Sequence, residues 1–579
     1  MKKILLLVSI ILASVSVNAE KRTKTEMLSV AANVLNAKLP KTFTANSSLK
    51  LQVLDNSLSQ LSIVGYEKGA FVVVSNDDSM PAVIGYSDSD TKFDLETAAP
   101  AFKWYLEIAN RNLEERLANG VAAPKMAINP NYKPEVPQLC TTKWGQADPY
   151  YRMTPVYDGG VQYVTGCVAT AMSQAMKHFN YPEVGRGKIT YYFNGDEGKV
   201  KNRVGFEDET IDWANMLDVY EPYKFNSDQA DAVAYLMKIT GASVKMQYGR
   251  YGSGAFTPDA AIALRTYFKY DRSVDCYIKD FMSTAEWFDI AYHSLSDGYP
   301  LVFGASTHQG GQDAGHSFVV DGYNAEGLVH VNFGWDGEAD GHYSLLDMHG
   351  YDYGFEMIPV KTPSPELEIH SNWGLWGKSI SYNTSSSKFS ATIINSSSLD
   401  FTGKIAVVLK NLTDGSEQML GYENYSNEPL IVDGNRYNVK EYNVQAPLPE
   451  DLADGKYRLY LASKGAWQLK DDPTDKHEEP KLYEEVGFQP VHANDALKNS
   501  IIITVADGNV TSKLDSNGDW VLGLDNIVSE NRASDIVKVY DLQGRMIYTA
   551  KANEFRIADV PFEGMVIIKN GAEVRKVMK

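Results

Sequence analysis

The sequence predicts two mixed α and β units followed by an all-β, sandwich-like C-terminal half. Three observations carry this. Apolar residues at positions 168, 171, 172, 175, 176 and 179 follow the i, i+3, i+4, i+7 stripe of a helix buried along one face. Two proline-rich breaks, one from Val121 to Pro134 and one at Thr362-Pro363-Ser364-Pro365, interrupt the apolar periodicity and divide the chain. Beyond the second break the composition shifts to Ser, Thr, Asn, Tyr and Val in short alternating runs. Turn dipeptides such as Asp414-Gly415 and Asp454-Gly455 separate the runs, as in stacked antiparallel sheets.

In chain order, residues 1–19 read as a secretory signal: Lys2-Lys3, an apolar run from Ile4 to about Val15, then Val17-Asn18-Ala19. Residues 20–137 hold a short helix near Lys24 to Leu39, strand-like Phe71 to Val74 and a charged helix from Phe102 to Leu117. The proline-rich stretch that follows is a linker open to nicking. Residues 138–362 contain the helix of Cys167, helical patterns at Ser227 to Ile239 and Thr284 to Leu295, and glycine- and aromatic-rich strands from Leu301 to Leu346. Residues 366–503 form a β-sandwich with strands such as Lys404 to Leu409 and Tyr457 to Leu461. Residues 506–579 form a further β-rich unit with strands at Ile536 to Tyr540 and Met565 to Ile568.

Charge and motif content exclude several function classes. A net charge of -19 with no basic block argues against nucleic acid or an anionic membrane as partner. No segment after the leader has the roughly twenty apolar residues of a transmembrane helix. Cys140, Cys167 and Cys276 are odd in number and widely spaced, so they form no disulfide framework and leave at least one free thiol. There is no HExxH helix, Walker loop or G-x-S-x-G elbow. The run Asp515 to Asp519 lacks the distal acidic ligand of a calcium loop and reads as a polar turn.

Cys167 stands at the start of its helix, where unsatisfied N–H groups and the positive end of the dipole are expected to lower the thiol pKa and make a nucleophile. Such a thiol needs a base, and ten histidines compete for the role. His178 lies on the same helix, on the order of 16 Å away at 1.5 Å per residue, and is excluded. His370, His477 and His492 fall in the β-rich half, and His293 sits on a helix with no special neighbours. His316 is different: it stands where the run His308 to Gly315 meets the strand Ser317 to Asp321. Glycines there, Gly315 among them, would let a substrate backbone approach closely. A hairpin pivoting near Asn324 or Glu326 would bring Asn332 or Trp335 opposite, or nearly opposite, His316. The amide of Asn332 could then accept a hydrogen bond from one ring nitrogen and orient the other toward the thiol. His330 and His342 are weaker competitors.

Three ordered motifs, Gly166 to Ala171, Gly315 to Tyr323 and His330 to Trp335, resemble those of the streptopain family of secreted, papain-like cysteine peptidases made as zymogens. The resemblance covers about residues 20–360. It implies an α+β papain-like catalytic domain behind an α+β propeptide, with Cys167 as nucleophile and His316 as general base and then acid. Asn332 falls at the family's histidine-orienting asparagine. Gln146, in Thr141 to Gln146, falls at the oxyanion-hole glutamine that acts beside the Cys167 N–H. Trp335 matches an aromatic of the active-site wall. Phe333 replaces a tryptophan there, which keeps an aromatic face for substrate and loses the indole N–H.

Phe71 to Asp78 and Pro81 to Ser87 resemble the family's propeptide, implying self-inhibition and a cut between about Ala123 and Cys140. Val537 to Gly544, Gly564 to Lys569 and Lys576-Val577 resemble C-terminal sorting domains of the type IX secretion system. The chemistry implied is endopeptidase hydrolysis of protein substrates through a thioester, with no metal or organic cofactor. Amidase or transpeptidase chemistry on wall peptides, and a non-catalytic surface adhesin, are the rival readings.

Overall fold

The computed structural model describes residues 20–578 apart from 39–49, 68, 90–92, 122–127, 197, 283, 308–314, 349–352, 365–374, 396, 425–441, 485–488, 492–499, 515–535, 541–545, 552–559, 561–564 and 571–572. Residues 1–19, expected as a leader, residues 308–314 and residues 515–519, expected as a polar turn, lie outside these residues. No described helix is long and apolar enough to cross a membrane.

The chain divides into two compact units, residues 1–126 with 338–348, and 127–337 with 349–579. In the first, α1 (Lys24–Lys38) opens on a capping box. The Thr23 N–H donates to the Glu26 carboxylate at 2.7 Å, and the Glu26 N–H donates to the Thr23 hydroxyl at 3.3 Å. Strands Leu51–Asp55, Leu61–Tyr66, Phe71–Ser75 and Val83–Ser87 form an antiparallel meander. The downstream strand Gly341–Tyr343 pairs with its last member, Gly341 opposite Ser87. Helix α2 (Pro100–Asn119) starts two residues before the expected Phe102, because Pro100 supplies the φ of a first turn and lacks an N–H that would go unpaired there. It stops at Gly120, whose φ of 63° suits a residue without a side chain.

In the second unit, α3 (Cys167–Phe179) lies against the strands Ser317–Tyr323 and Leu301–Thr307, and α4 (Ser227–Ser243) packs on α3. The strands run Val329–Asn332, Ser317–Tyr323, Leu301–Thr307, Tyr353–Pro359, Tyr277–Ile278, all antiparallel. Helix α4 runs past the expected Ile239 through Gly241, where a side chain would strike the Tyr248 hydroxyl. The core joins α3 (Val168, Met172, Met176), α4 (Val233, Leu236, Met237) and α5 (Thr257–Tyr267; Ala260, Leu264) to Val302 and Val319. A further helix, α6, spans Thr284–Ser296.

The C-terminal half is antiparallel β throughout. A three-stranded sheet (Leu375–Asn383, Lys388–Asn395, Tyr442–Pro447) and a seven-stranded one share a core of Phe389, Ile393, Phe401, Ile405, Leu459, Trp467 and Ile503. That is a sandwich, as the alternating runs predict. Strand Asn509–Leu514 pairs with Ser500–Ala506, so the sandwich extends beyond the expected end at residue 503. A separate four-stranded sheet, built from Ile536–Tyr540, Met546–Lys551, Met565–Asn570 and Glu573–Met578, closes on Val537, Val539, Val566 and Ile568.

Candidate active site

Gly166 caps α3 with φ 90°, and a side chain there would collide with Met246 and the Ser253 carbonyl. Only glycine satisfies both the conformation and the space, which is why Gly-Cys opens this helix. Cys167 is half-buried at the first turn. Backbone N–H groups of Ser317, Val168 and Cys167 itself point at the sulfur, yet burial outweighs them and pushes the thiol pKa up. The expectation of a thiol acidified by the helix terminus is therefore not met in this state. Three N–H dipoles favour the thiolate, but removal from water disfavours it more.

Helix α3 packs on the strand Ser317–Tyr323, which begins directly after His316. This brings the histidine's strand to the nucleophile. A bond of 2.7 Å between the hydroxyls of Thr257, at the start of α5, and Ser317 anchors that strand. His316 is half-buried, and burial lowers its pKa to about 4. Burial thus biases both groups toward their uncharged forms.

The hairpin turns where expected, the Asn324 side chain accepting from the N–H groups of Glu326 and Leu328 at 3.1 and 2.9 Å. Its register sets Asn332 opposite Val319, beyond His316 along the strand. The Asn332 carboxamide is fully engaged elsewhere. Its Nδ2 donates to the Thr142 carbonyl at 2.7 Å and to Gln174 Oε1 at 3.1 Å, and its Oδ1 accepts from Gln174 Nε2 and the Gly334 N–H, both at 3.0 Å. Two donors and two acceptor positions are all an amide has, so the expected Asn332–His316 bond does not form.

Gln146 lies beside the residues that lead into α3. Its carbonyl accepts the Thr165 N–H at 3.4 Å, and its half-buried carboxamide bonds none of the described residues. Trp335 is half-buried with its indole N–H buried and unpartnered. Phe333 is 1% exposed, its ring centroid 5.6 Å from that of Phe318. It belongs to the core, which corrects the expectation of a substrate-facing ring. Gly315 is half-buried beside His316. Among the described residues no His, Cys, Asp and Glu cluster could hold a metal.

Sequence reasoning missed two buried polar groups. Gln174 lies two turns along α3 from Cys167, on the nucleophile's own face, and that spacing was the available signal. Asp321 sits in the β-bulge of the hairpin, with its carboxylate 2.6 Å from His330 Nδ1 and accepting the Cys140 N–H at 2.7 Å. That takes His330 out of the competition for the thiol.

The Peptidase C10 family model matches residues 144–343, and a model described as Spi protease inhibitor matches residues 19–113. The chain is 32% identical over 312 residues to streptopain of Streptococcus pyogenes, covering 50% of this chain and 74% of streptopain. The chain belongs to the streptopain family of cysteine peptidases. It is also 28% identical over 342 residues to the thiol protease/hemagglutinin PrtT of Porphyromonas gingivalis, spanning 38% of that longer protein and 56% of its own length. A solved prointerpain A fragment of Prevotella intermedia is similar at 34% identity and a TM-score of 0.49, over 55% of this chain and all of the fragment. Membership places an inhibitor-type domain ahead of the papain-like domain and leaves the C-terminal sandwich outside both family matches.

Proposed function

We propose that the chain is the precursor of a secreted cysteine endopeptidase. The observation that carries this is Cys167 at the first turn of a helix packed on the strand Ser317–Tyr323, which His316 directly precedes. The Gln146 segment runs alongside Thr165, two residues before Cys167. In the reaction the His316 ring takes the thiol proton as the sulfur adds to a peptide carbonyl. The Gln146 carboxamide and the Cys167 N–H stabilise the oxyanion. The imidazolium then protonates the departing amine, leaving a thioester. Water, giving its proton to His316, hydrolyses the thioester and restores the thiol. The uncommitted amide of Gln146 and the orphaned indole N–H of Trp335 are donors held ready for a substrate.

Residues 20 to about 126 serve as the inhibitor, in keeping with the inhibitor-type family match over residues 19–113. Removal falls upstream of Asn129, because the chain beyond it is built into the catalytic core. Tyr132 donates to Asp289 at 2.5 Å and stacks on His293. The Val136 N–H donates to the Tyr323 carbonyl at 2.8 Å, and the Leu139 N–H to the Asp321 carbonyl at 2.8 Å. The leader directs export, and the terminal four-stranded sheet is the candidate sorting signal.

The test is to incubate the precursor and its Cys167→Ala copy with a mild reductant, with and without casein, following intact mass. The expected result is loss from the wild type alone of a fragment ending between Val121 and Ile128, with casein degraded. If both chains stay whole and casein survives even after an added protease cuts that stretch, the peptidase reading is wrong.

A further inference from the structure

The endopeptidase reading leaves a question of mechanics: what holds Gln146 at the nucleophile, given that its own side chain is tied to none of the described residues? The answer lies one layer down. Gln174 is fully buried, and its Oε1 accepts from the Thr142 hydroxyl at 3.0 Å, the Trp144 N–H at 3.1 Å and Asn332 Nδ2 at 3.1 Å. Its Nε2 returns a bond to Asn332 Oδ1 at 3.0 Å, closing a reciprocal amide pair. Two of these partners lie on the segment that delivers Gln146. The third, Asn332, holds the Gly334 N–H of the turn that delivers Trp335. Gly334 has φ 73°, and a side chain added there would press on Thr170 of α3 at 3.3 Å.

Two chain segments that share no continuous strand or helix therefore meet on one side chain of the Cys167 helix. We propose that Gln174 is a positioning residue, which with Asn332 fixes the Gln146 and Trp335 segments against the nucleophile's helix. Asn332 thus serves the oxyanion side of the site, while His316 is set by its own strand and its Ser317–Thr257 anchor. The inference rests on the endopeptidase reading for its kinetic consequence but not for its mechanical one. All four groups are neutral, so the network should be indifferent to pH across the working range. A buried amide pair of this kind is costly to break singly and is best tested by coupling between sites.

The experiment takes the full chain carrying Gln174→Met, and separately the milder Thr142→Val, each alone and combined with Gln146→Ala. Gln174→Met is expected to lower kcat about 10- to 100-fold with KM changed less than about threefold, since the loss is of stabilisation in the transition state. Thr142→Val should move kcat the same way by about threefold. If Gln174 acts through Gln146, the double variant loses no more than about threefold beyond Gln146→Ala alone. The acid limb of the kcat/KM profile should stay where the wild type has it.

Multiplicative losses in the double variant would overturn the proposal. So would a shifted acid limb, because that would make the pair an orienter of His316. In parallel, hydrogen exchange in the Cys167→Ala precursor should show faster exchange over residues 141–146 and 332–335 on adding Gln174→Met or Thr142→Val. Unchanged exchange there sinks the clamp whatever the kinetics. Should the wild type cleave no peptide while exchange rises as expected, the endopeptidase reading fails and the clamp stands.

Discussion

Two neighbouring regions of the catalytic unit are built on opposite terms. Around Cys167 and His316 the groups are titratable and half-buried, and burial pushes both toward their uncharged forms. Around Gln174 and Asn332 the groups never titrate, are fully buried and have every hydrogen-bonding position of the Asn332 amide filled. The first region can change charge when its surroundings change. The second cannot change without breaking buried hydrogen bonds, each leaving a group whose desolvation is uncompensated. The reactive pair therefore sits where burial disfavours charge, and the frame that aims it sits where polarity is saturated.

The sharpest way to break the first region is to remove the nucleophile. Cys167→Ala should cost about a million-fold in kcat, the scale seen when a covalent catalyst is deleted, and should leave the precursor uncleaved. Gln146→Ala, at the boundary of the two regions, should cost about a hundred- to a thousand-fold in kcat, the scale of one oxyanion donor. Both are read from steady-state hydrolysis of a small peptide, with the Cys167→Ala protein bounding the background.

The charge state of the first region gives a smaller effect with a definite sign. His316 titrates at 6.5 when unfolded and at about 4 in the folded precursor. Between those values the unfolded chain holds more protons, so stability rises with pH. The contribution is fully present above about 6.5 and is lost as pH falls through that window. Urea midpoints of the Cys167→Ala precursor and of its His316→Gln derivative, measured from pH 4 to 7, should diverge, the derivative showing the flatter profile. Parallel profiles would mean that His316 is not held neutral. The raised thiol pKa adds that Cys167 in the precursor should alkylate slowly at pH 7 and faster as pH climbs past the free-thiol range.

The sequence made the first region far more legible than the second. Gly166-Cys167 announced itself because a helix start has one chemical consequence, but the helix behind it is buried on every face from Val168 to Met176, not along the apolar stripe alone. His316 followed from elimination and from its place at a strand entrance. Asn332 was located correctly on its hairpin, but its partner was not. A bulge at Asp321 and the register Val319 to Asn332 decide which side chains face one another, and neither is written in local composition. Phe333 failed as a wall residue for the same reason, since its ring packs into a core that only the strand order defines. Gln174 was missed because a polar residue beside an apolar stripe reads as a solvated one until the Thr142 segment is seen to cover it. In the sandwich, alternation located the sheets, while the final Asn509–Leu514 strand was lost because pairing rather than composition assigns it.

The same contrast between saturated burial and exposed charge recurs where the sandwich meets the catalytic core, and it gives the smallest effects. Asp275 is 2% exposed and accepts from the Ser397 hydroxyl at 2.5 Å, from the N–H groups of Cys276 at 2.8 Å and Ser398 at 3.0 Å, and from the Ser398 hydroxyl. Arg265 donates to that serine's hydroxyl at 2.8 Å and carbonyl at 3.2 Å. Nearby, Arg272 meets Asp471 at 2.5 Å, but those side chains are 24% and 49% exposed. Asp275→Ala should destabilise the chain by about 1–3 kcal/mol, because it strands buried hydroxyl and N–H donors and the guanidinium beside them. Arg272→Ala should cost at most about 1 kcal/mol, since water screens the pair it removes. Neither change touches the Cys167 site, so hydrolysis of a small peptide should continue at the wild-type rate in both. If Arg272→Ala proved the more damaging in urea denaturation, the junction would be held by its charged rim, and raising the salt concentration should then loosen it. Insensitivity to salt together with a large Asp275→Ala effect would locate the hold in the buried serine–carboxylate contact, where screening by ions has little reach.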